Sequence, residues 1–158
     1  MSEQATETTV DRNAVVSLRE ITLETVRMIL NLKVAHSQEQ FVAPNAVSIA
    51  EAYFVKEAWF RAIYADETPV GFVMLHDNPA EQAYFLWRFM IDARYQSLGF
   101  GRRAIEQLVE YVKMRPGATE LRVSCVPGDG SPCPFYEKLG FQSTGEEHHG
   151  ELVLRLPL

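Results

Sequence analysis

The chain has 158 residues, 47% of them hydrophobic, and a formal net charge of −6. This suffices for one domain with a full core, and no segment has the roughly 18 unbroken apolar residues of a membrane span. The acidic balance argues against nucleic acid as a partner. The two cysteines, Cys125 and Cys133, are too few for a disulfide framework, so we expect a cytoplasmic protein in which both are packing residues.

The first thirteen residues are polar and acidic, without the basic and apolar regions of a secretory signal. We therefore predict a disordered tail over residues 1–13 and a single domain over residues 14–158, which no linker or repeat divides. The apolar run at 15–21 predicts the first strand. A helix after it is predicted by the spacing of Leu23, Val26, Ile29 and Leu30.

The next segment, from His36 to Ser48, is polar and contains a proline, so it predicts a loop. It leads into a short helix over residues 48–53. Ser48 is the candidate N-cap of this helix, and Glu51 stands at capping-box spacing from it.

The middle of the chain predicts three strands and a helix. Apolar runs at 59–65 and 70–76 flank the turn sequence "DETP" and predict a hairpin. The run at 84–91 is apolar and aromatic on both faces, which is typical of a central strand. The helix ends at "PG" (116–117), and its buried face is predicted to contain Ile105, Leu108, Val109 and Val112.

The C-terminal part predicts a strand, a helix and a final hairpin. A strand over 120–126 precedes a short helix within 131–140, whose prolines stand in the first turn and whose C′ residue is Gly140. Strands at 141–146 and 151–158 follow. The order β-α-α-β-β-β-α-β-α-β-β predicts a mixed α/β fold, with one twisted sheet of about seven strands flanked by about four helices.

The segment 99–104, "GFGRRA", matches the dinucleotide-binding pattern G-x-G-x-x-A. Its context disfavours that interpretation, because seven residues separate Ile91 from Gly99. The acidic residue that would hold a ribose is also absent, since Glu120 stands at the start of the next strand rather than at its end. A nucleotide-binding fold that takes NAD is therefore only an alternative.

Two physical explanations of the glycines remain open. The start of a helix has unpaired N–H groups that suit an anion, and Gly99 and Gly101 leave them accessible. Arg102 and Arg103 add positive charge, and Gln96 can donate a hydrogen bond. Alternatively, the glycines allow the helix to pack closely on the sheet.

A family resemblance rests on two motifs. "Q-x-x-G-x-G" at 96–101, between a strand and an amphipathic helix, resembles the acetyl-CoA pyrophosphate motif of the GNAT N-acetyltransferases, and "FYEKLGF" at 135–141 resembles the second signature of that family. The strand order over 15–158 also resembles the GNAT fold. Within the family, "FVAPNAVSIAEAYF", "TPVGFVML", "WRFMID" and "TGE" look most similar to bacterial spermine/spermidine (diamine) acetyltransferases.

The resemblance implies a binding site for acetyl-CoA. The pantetheine arm would pair with the backbone of Phe89, Met90 and Ile91. Asp129 falls where the family usually has an asparagine that contacts this arm, and an aspartate cannot donate a hydrogen bond as an amide does. The pyrophosphate would be held by Gln96, Ser97, Leu98, Gly99, Phe100, Gly101 and Arg102.

The resemblance also implies direct transfer of the acetyl group to a primary amine in a ternary complex. The backbone N–H of Met90 or Ile91 would stabilise the thioester oxygen, and Tyr136 would act as the acid toward the CoA thiolate. No cysteine nucleophile is needed. A metal is not expected, because His148 and His149 are adjacent and their side chains diverge.

A polyamine acceptor requires carboxylates and aromatic faces. The candidates are Glu39, Glu51, Tyr84, Trp87 and Asp92. Strand alternation predicts that Trp87 and Phe89 share one face while Arg88 and Met90 share the other, and Arg88 would repel a cation if it faced the pocket.

Other functions remain open for the same motifs. The chain could acetylate a protein, a peptide or another small amine, or it could bind acetyl-CoA without catalysis. Family members often dimerise, which implies a possible homodimer.

Overall fold

The structure, a computed structural model, describes residues 10–158. One seven-stranded sheet has the order β1-β2-β3-β4-β5-β7-β6, and only the pairing of β4 with β5 is parallel. The strands are β1 (Val16–Arg19), β2 (Ala58–Ala65), β3 (Thr68–Asn78), β4 (Ala83–Ile91), β5 (Glu120–Cys125), β6 (Gln142–His148) and β7 (Glu151–Pro157). The α-helices are α1 (Val26–Leu30), α2 (Asn45–Phe54), α3 (Phe100–Lys113) and α4 (Cys133–Lys138). The predicted mixed α/β fold and order of elements are confirmed.

The sheet is covered on both faces, which explains the continuous apolar runs of β3 and β4. One face packs against α3 and α4, through residues that include Leu75, Leu86 and Leu108. The other face packs against α1 and α2, through residues that include Ile29 and Met90. None of the helices within residues 10–158 is long and apolar enough to cross a membrane.

Helix α2 begins earlier than predicted. Its first residue is Asn45 rather than Ser48, and Ser48 is fully buried inside it instead of capping it. The amide of Asn45 donates to the carbonyl of Ile29 in α1 at 2.9 Å, so a tertiary contact fixes the start of the helix. The segment predicted as a loop also contains a 3₁₀ helix, His36–Phe41.

The two cysteines form a disulfide, which corrects the prediction that they are separate packing residues. Cys125 ends β5 and Cys133 begins α4, with 5.6 Å between their Cα atoms. Both are buried, as expected. The fold brings the two element ends together around residues 126–132, and this proximity is not visible in the spacing of the cysteines.

Most of the predicted tail, residues 1–9, lies outside the described residues. Of the remainder, Val10 packs against the core. The guanidinium of Arg103 donates to the carbonyls of Arg12 at 2.8 Å and of Ala14 at 2.6 Å. These hydrogen bonds attach the chain before β1 to the first turn of α3.

Candidate active site

A gap opens in the sheet between β4 and β5. The two strands pair only at Phe85 with Arg122 and at Leu86 with Val123, although β4 continues to Ile91. A bulge at Trp87 shifts the register of β4 against β3 at the same point. Beyond the bulge, the edge of β4 that faces β5 has no strand partner there.

The direction of the β4 peptide groups follows from one hydrogen bond. Asp92 N–H donates to the carbonyl of Val70 in β3 at 2.8 Å. Since successive peptide groups alternate between the edges of a strand, Met90 N–H points toward β3, while Phe89 and Ile91 N–H point into the gap. The carbonyl of Ile91 agrees, because it accepts from Gln96 at 2.9 Å rather than from β3.

The start of α3 lies beside the end of β4, and its two glycines serve different purposes. Gly99 is the N-cap with φ of 83°, and a Cβ there would have no neighbour nearer than 4.0 Å. A Cβ on Gly101 would lie 3.3 Å from the Phe135 ring and 3.5 Å from Ile91. Gly99 therefore provides a left-handed turn in open space, whereas Gly101 allows close packing. No side chain caps α3, so its first N–H groups are open to an anion.

The two arginines of α3 have different surroundings. Arg102 is 71% exposed and lies 3.0 Å from Glu106. Arg103 instead binds carbonyls of the preceding chain, as described above. Arg102 is thus the arginine of this pair that remains at the surface beside the helix start.

The side chain of Gln96 is hydrogen-bonded to Gln38, a residue that no sequence motif indicates. Its amide donates to Gln38 Oε1 at 2.8 Å, and the amide of Gln38 donates back at 3.3 Å. This pair attaches the 3₁₀ helix to the end of β4. The side chain of Gln96 is therefore engaged within the protein. No local pattern marks Gln38, because its partner is 58 positions away.

Tyr136 lies in α4 and is 4% exposed. Its ring packs edge-on against Phe135 at 5.4 Å and Phe141 at 5.5 Å, and Phe135 stacks on Phe89 of β4 at 5.7 Å between ring centroids. Its hydroxyl makes no hydrogen bond with any residue in the described part of the chain. Burial raises the pKa of Tyr136, so the hydroxyl keeps its proton at neutral pH and can serve as an acid.

Asp129 is exposed in the loop that the disulfide closes. The next residue, Gly130, has φ of 79° and packs so closely that a Cβ would lie 2.9 Å from the carbonyl oxygen of Ser37. The loop is thus held against the 3₁₀ helix.

Two of the predicted acceptor residues are engaged inside the fold. Tyr84 is buried on the α3 face and its hydroxyl donates to the carbonyl of Pro116. Asp92 accepts from Lys33 N–H at 3.0 Å and from both the N–H and Nε of Arg94. Burial opposes ionisation of Asp92, but these hydrogen bonds outweigh it and lower the pKa of the carboxyl. Asp92 therefore fixes the connection between α1 and the end of β4.

The predicted alternation along β4 is wrong at the bulge. Trp87 packs with Met74 and Met90 on the α1–α2 face, while Phe89 packs on the α3 face. The bulge adds one residue to β4, so the alternation is interrupted. Arg88 pairs with Met74 across the strands and also lies on the α1–α2 face.

The remaining candidates are two carboxylates, Glu39 and Glu51. Glu39 is exposed in the 3₁₀ helix, 3.3 Å from His36 Nδ1. Glu51 of α2 lies 3.2 Å from a terminal nitrogen of Arg88. Glu51 is thus already paired with a cation.

These residues fit an acetyl-CoA molecule. The gap offers two inward N–H groups for an extended arm, the start of α3 offers N–H groups that no side chain caps for a pyrophosphate, and Tyr136 offers a protonated hydroxyl. Within residues 10–158, no group of three His, Cys, Asp or Glu side chains is placed to hold a metal.

The mixed sheet, its gap between β4 and β5 and the uncapped start of α3 together suit an enzyme that binds an acyl-CoA. The chain belongs to the acetyltransferase (GNAT) family, whose sequence profile matches residues 28–141. The predicted family is therefore confirmed.

Named relatives agree with this assignment. The chain is 25% identical over 150 residues to the spermine/spermidine N(1)-acetyltransferase of Bacillus subtilis strain 168, covering 88% of this chain and 96% of that protein. The PaiA N-acetyltransferase of Thermoplasma acidophilum, solved in complex with coenzyme A, has a TM-score of 0.68 at 15% identity, over 91% of this chain and 99% of the other. A spermidine N-acetyltransferase SpeG chimera from Vibrio cholerae and hSSAT has a TM-score of 0.66 at 17% identity, over 90% and 94%. The two structures establish the fold.

Proposed function

We propose that this protein transfers an acetyl group from acetyl-CoA directly to the primary amine of a small molecule. The observation that carries the proposal is the unpaired edge of β4, where the N–H groups of Phe89 and Ile91 point into the gap and the Phe89 ring stacks on Phe135, the neighbour of Tyr136. The family profile and the relatives supply the reaction class.

The backbone of Phe89, Met90 and Ile91 would hold the pantetheine arm, with Asp129 on the loop above it. The N–H groups of residues 96–101, with Arg102, would hold the pyrophosphate. Acetyl-CoA supplies the acetyl group as a reactive thioester.

The chain's own groups would act on the negative charge that develops on the thioester oxygen and on the departing thiolate. The N–H of Ile91 points into the gap and would donate to the thioester oxygen, and one such donor lowers the barrier by roughly 3–4 kcal/mol. Met90 N–H, the other predicted donor, points toward β3. Tyr136 would give its proton to the departing thiolate. The incoming ammonium must also lose a proton, which costs roughly 4.6 kcal/mol at pH 7 for a pKa of about 10.4.

Spermidine and spermine are the first acceptors to test, because the curated relatives carry those names. Of the predicted acceptor residues, Trp87 lies on the α1–α2 face and Glu39 is exposed in the 3₁₀ helix. A peptide amine and a non-catalytic acetyl-CoA-binding module are the alternatives. A cytoplasmic location and a homodimer stay predictions.

The test is thiol release from acetyl-CoA with spermidine, spermine, putrescine, amino acids and a peptide, for the wild type and Tyr136→Phe. We expect turnover with a primary amine and a loss of about 100-fold or more in the variant. The melting temperature should change little, because the Tyr136 hydroxyl has no hydrogen-bond partner among residues 10–158.

The matched control is Tyr53→Phe, which removes a hydroxyl from a residue that is 86% exposed and should retain full activity. Because burial keeps the pKa of Tyr136 above its ordinary value, the ratio of wild-type to variant rates should be constant from about pH 6 to about pH 9. Binding of acetyl-CoA without turnover of any amine would favour the non-catalytic module.

A further inference from the structure

Among residues 10–158, two buried side-chain polar atoms lack a hydrogen-bond partner, Ser48 Oγ and Arg88 Nε. Buried polar groups are normally paired, because leaving one unpaired is costly. Ser48 is fully buried in α2, and Arg88 follows the bulge of β4. Both atoms belong to the α1–α2 face of the sheet.

The two atoms lie in one region, called the seam below, where side chains of α2 contact side chains of β4. Asn45, Ser48 and Glu51 stand three residues apart and so line one side of α2. At one end of this row the Asn45 amide is 3.7 Å from Met90 Sδ, and at the other end Glu51 is 3.2 Å from Arg88. Ser48 therefore lies between two contacts that join the helix to the strand.

The hydrogen-bonding chemistry of these two atoms determines which ligand group can pair with them. Arg88 Nε is a donor only, and a serine hydroxyl can donate or accept. Glu51 takes a terminal nitrogen of Arg88 and leaves Nε free. An oxygen acceptor suits each of these atoms, and a carboxylate suits an arginine best.

A polyamine provides no such group. In its protonated form it carries N–H donors alone, so it leaves Arg88 Nε unsatisfied. Glu51, a carboxylate that could otherwise attract a polycation, is already paired with Arg88, whose guanidinium also lies 5.4 Å from the centre of the Trp87 ring. The seam is therefore poorly suited to a second ammonium group.

We propose, resting on the proposed function, that the acceptor amine carries a carboxylate, which Arg88 Nε and Ser48 Oγ bind. Arg88 is two residues from Met90, a distance of about 6.6 Å along a strand. An amino acid with a side-chain amine, such as ornithine or lysine, spans that distance, so its carboxylate can lie at the seam while the side-chain amine reaches the gap. Arg88 and Ser48 are then specificity-determining residues, and Glu51 positions Arg88.

The test uses pairs of amines that differ only in a carboxylate, lysine with cadaverine and ornithine with putrescine. Binding to the CoA-saturated protein is measured by calorimetry, and kcat/KM is measured with acetyl-CoA. The wild type should favour the carboxylate member by about 10-fold or more, and Arg88→Met should abolish the preference. Arg19→Met is the matched control and should keep the preference. Arg19 lies on the edge strand β1 and, like Arg88, is paired with a glutamate, Glu67.

Ser48→Ala separates binding from folding. Removal of an unpaired buried hydroxyl should leave the melting temperature unchanged or raise it, while the preference for lysine falls. A strong fall in melting temperature with an unchanged preference would assign Ser48 a structural role and overturn the proposal.

Equal or better binding of cadaverine and putrescine would also overturn it, and turnover of those diamines would leave the proposed function intact. If no amine is acetylated, the proposed function fails, while the calorimetric comparison of lysine with cadaverine still decides between the two chemistries at the seam.

Discussion

At the scale of single residues, the two glycines of α3 separate backbone strain from packing. Gly99→Ala places a side chain at φ of 83° in open space, so it should destabilise the protein by about 1–2 kcal/mol. Gly101→Ala has no such strain, but its Cβ presses on Phe135, which stacks on Phe89 and touches Tyr136. We expect it to lower kcat more than stability, as measured by thermal unfolding and steady-state kinetics.

The control for Gly99→Ala is Gly150→Ala, because Gly150 has φ of 82° and also has no neighbour within 4 Å. Both variants should lose similar stability, while Gly99→Ala alone should weaken binding of acetyl-CoA. Equal binding in the two variants would mean that the start of α3 does not hold the pyrophosphate.

The ionisation of Asp92 makes the free energy of unfolding depend on pH. The pKa of its carboxyl is lowered in the folded protein, so its ionised form stabilises the fold above the unfolded pKa of about 3.9, and this stabilisation is lost as the pH falls through the folded pKa. Asp92→Asn removes charge-assisted hydrogen bonds to Lys33 and Arg94 and should cost about 1.5–3 kcal/mol at neutral pH.

Urea unfolding of the wild type and Asp92→Asn at pH 7 and at lower pH measures this difference. The two free energies of unfolding should converge as the pH falls below about 4. A difference that does not vary with pH would show that the charge of Asp92 contributes nothing to stability.

At the scale of elements, the disulfide controls the connection from β5 to α4. It links residues eight positions apart, and closing such a loop in the unfolded chain contributes about 2.5 kcal/mol in the chain-entropy model. Reduction should therefore lower the melting temperature by roughly 5–10 °C. Because Asp129 lies in the closed loop and Tyr136 in the following helix, reduction should also weaken acetyl-CoA binding.

The control is the double variant Cys125→Ala, Cys133→Ala, whose melting temperature should not respond to a reductant. A wild type that is equally insensitive to reductant would show that the bond does not form in solution.

Local patterns predicted the elements themselves and missed the contacts between them. The spacing of Ile105, Leu108 and Val112 predicted α3, because apolar residues that are buried on one face of a helix recur at helical spacing along the sequence. The bulge at Trp87 was missed because it depends on the register against β3. The Gln38–Gln96 pair and the disulfide were missed for the same reason, since each joins segments that only the fold brings together.

At the scale of the whole molecule, the sheet keeps the two proposed substrates on different sides of β4. The gap and α3 would take acetyl-CoA, while the seam of α2 would take the amine. A ligand that spans the gap binds the folded chain alone, so at 100 times its dissociation constant acetyl-CoA should add about 2.7 kcal/mol to the free energy of unfolding.

Such a gain corresponds to a rise of roughly 5–10 °C in melting temperature for a chain of this size, which a thermal-shift assay measures directly. NAD at the same concentration is the control and should cause no rise, because the glycine segment lacks the short strand-to-helix turn of a dinucleotide site. The rise should be smaller for Gly99→Ala than for Gly150→Ala, since only the first lies at the start of α3. Stabilisation by NAD and not by acetyl-CoA would contradict the site described here, because the gap between β4 and β5 would then bind no acetyl-CoA.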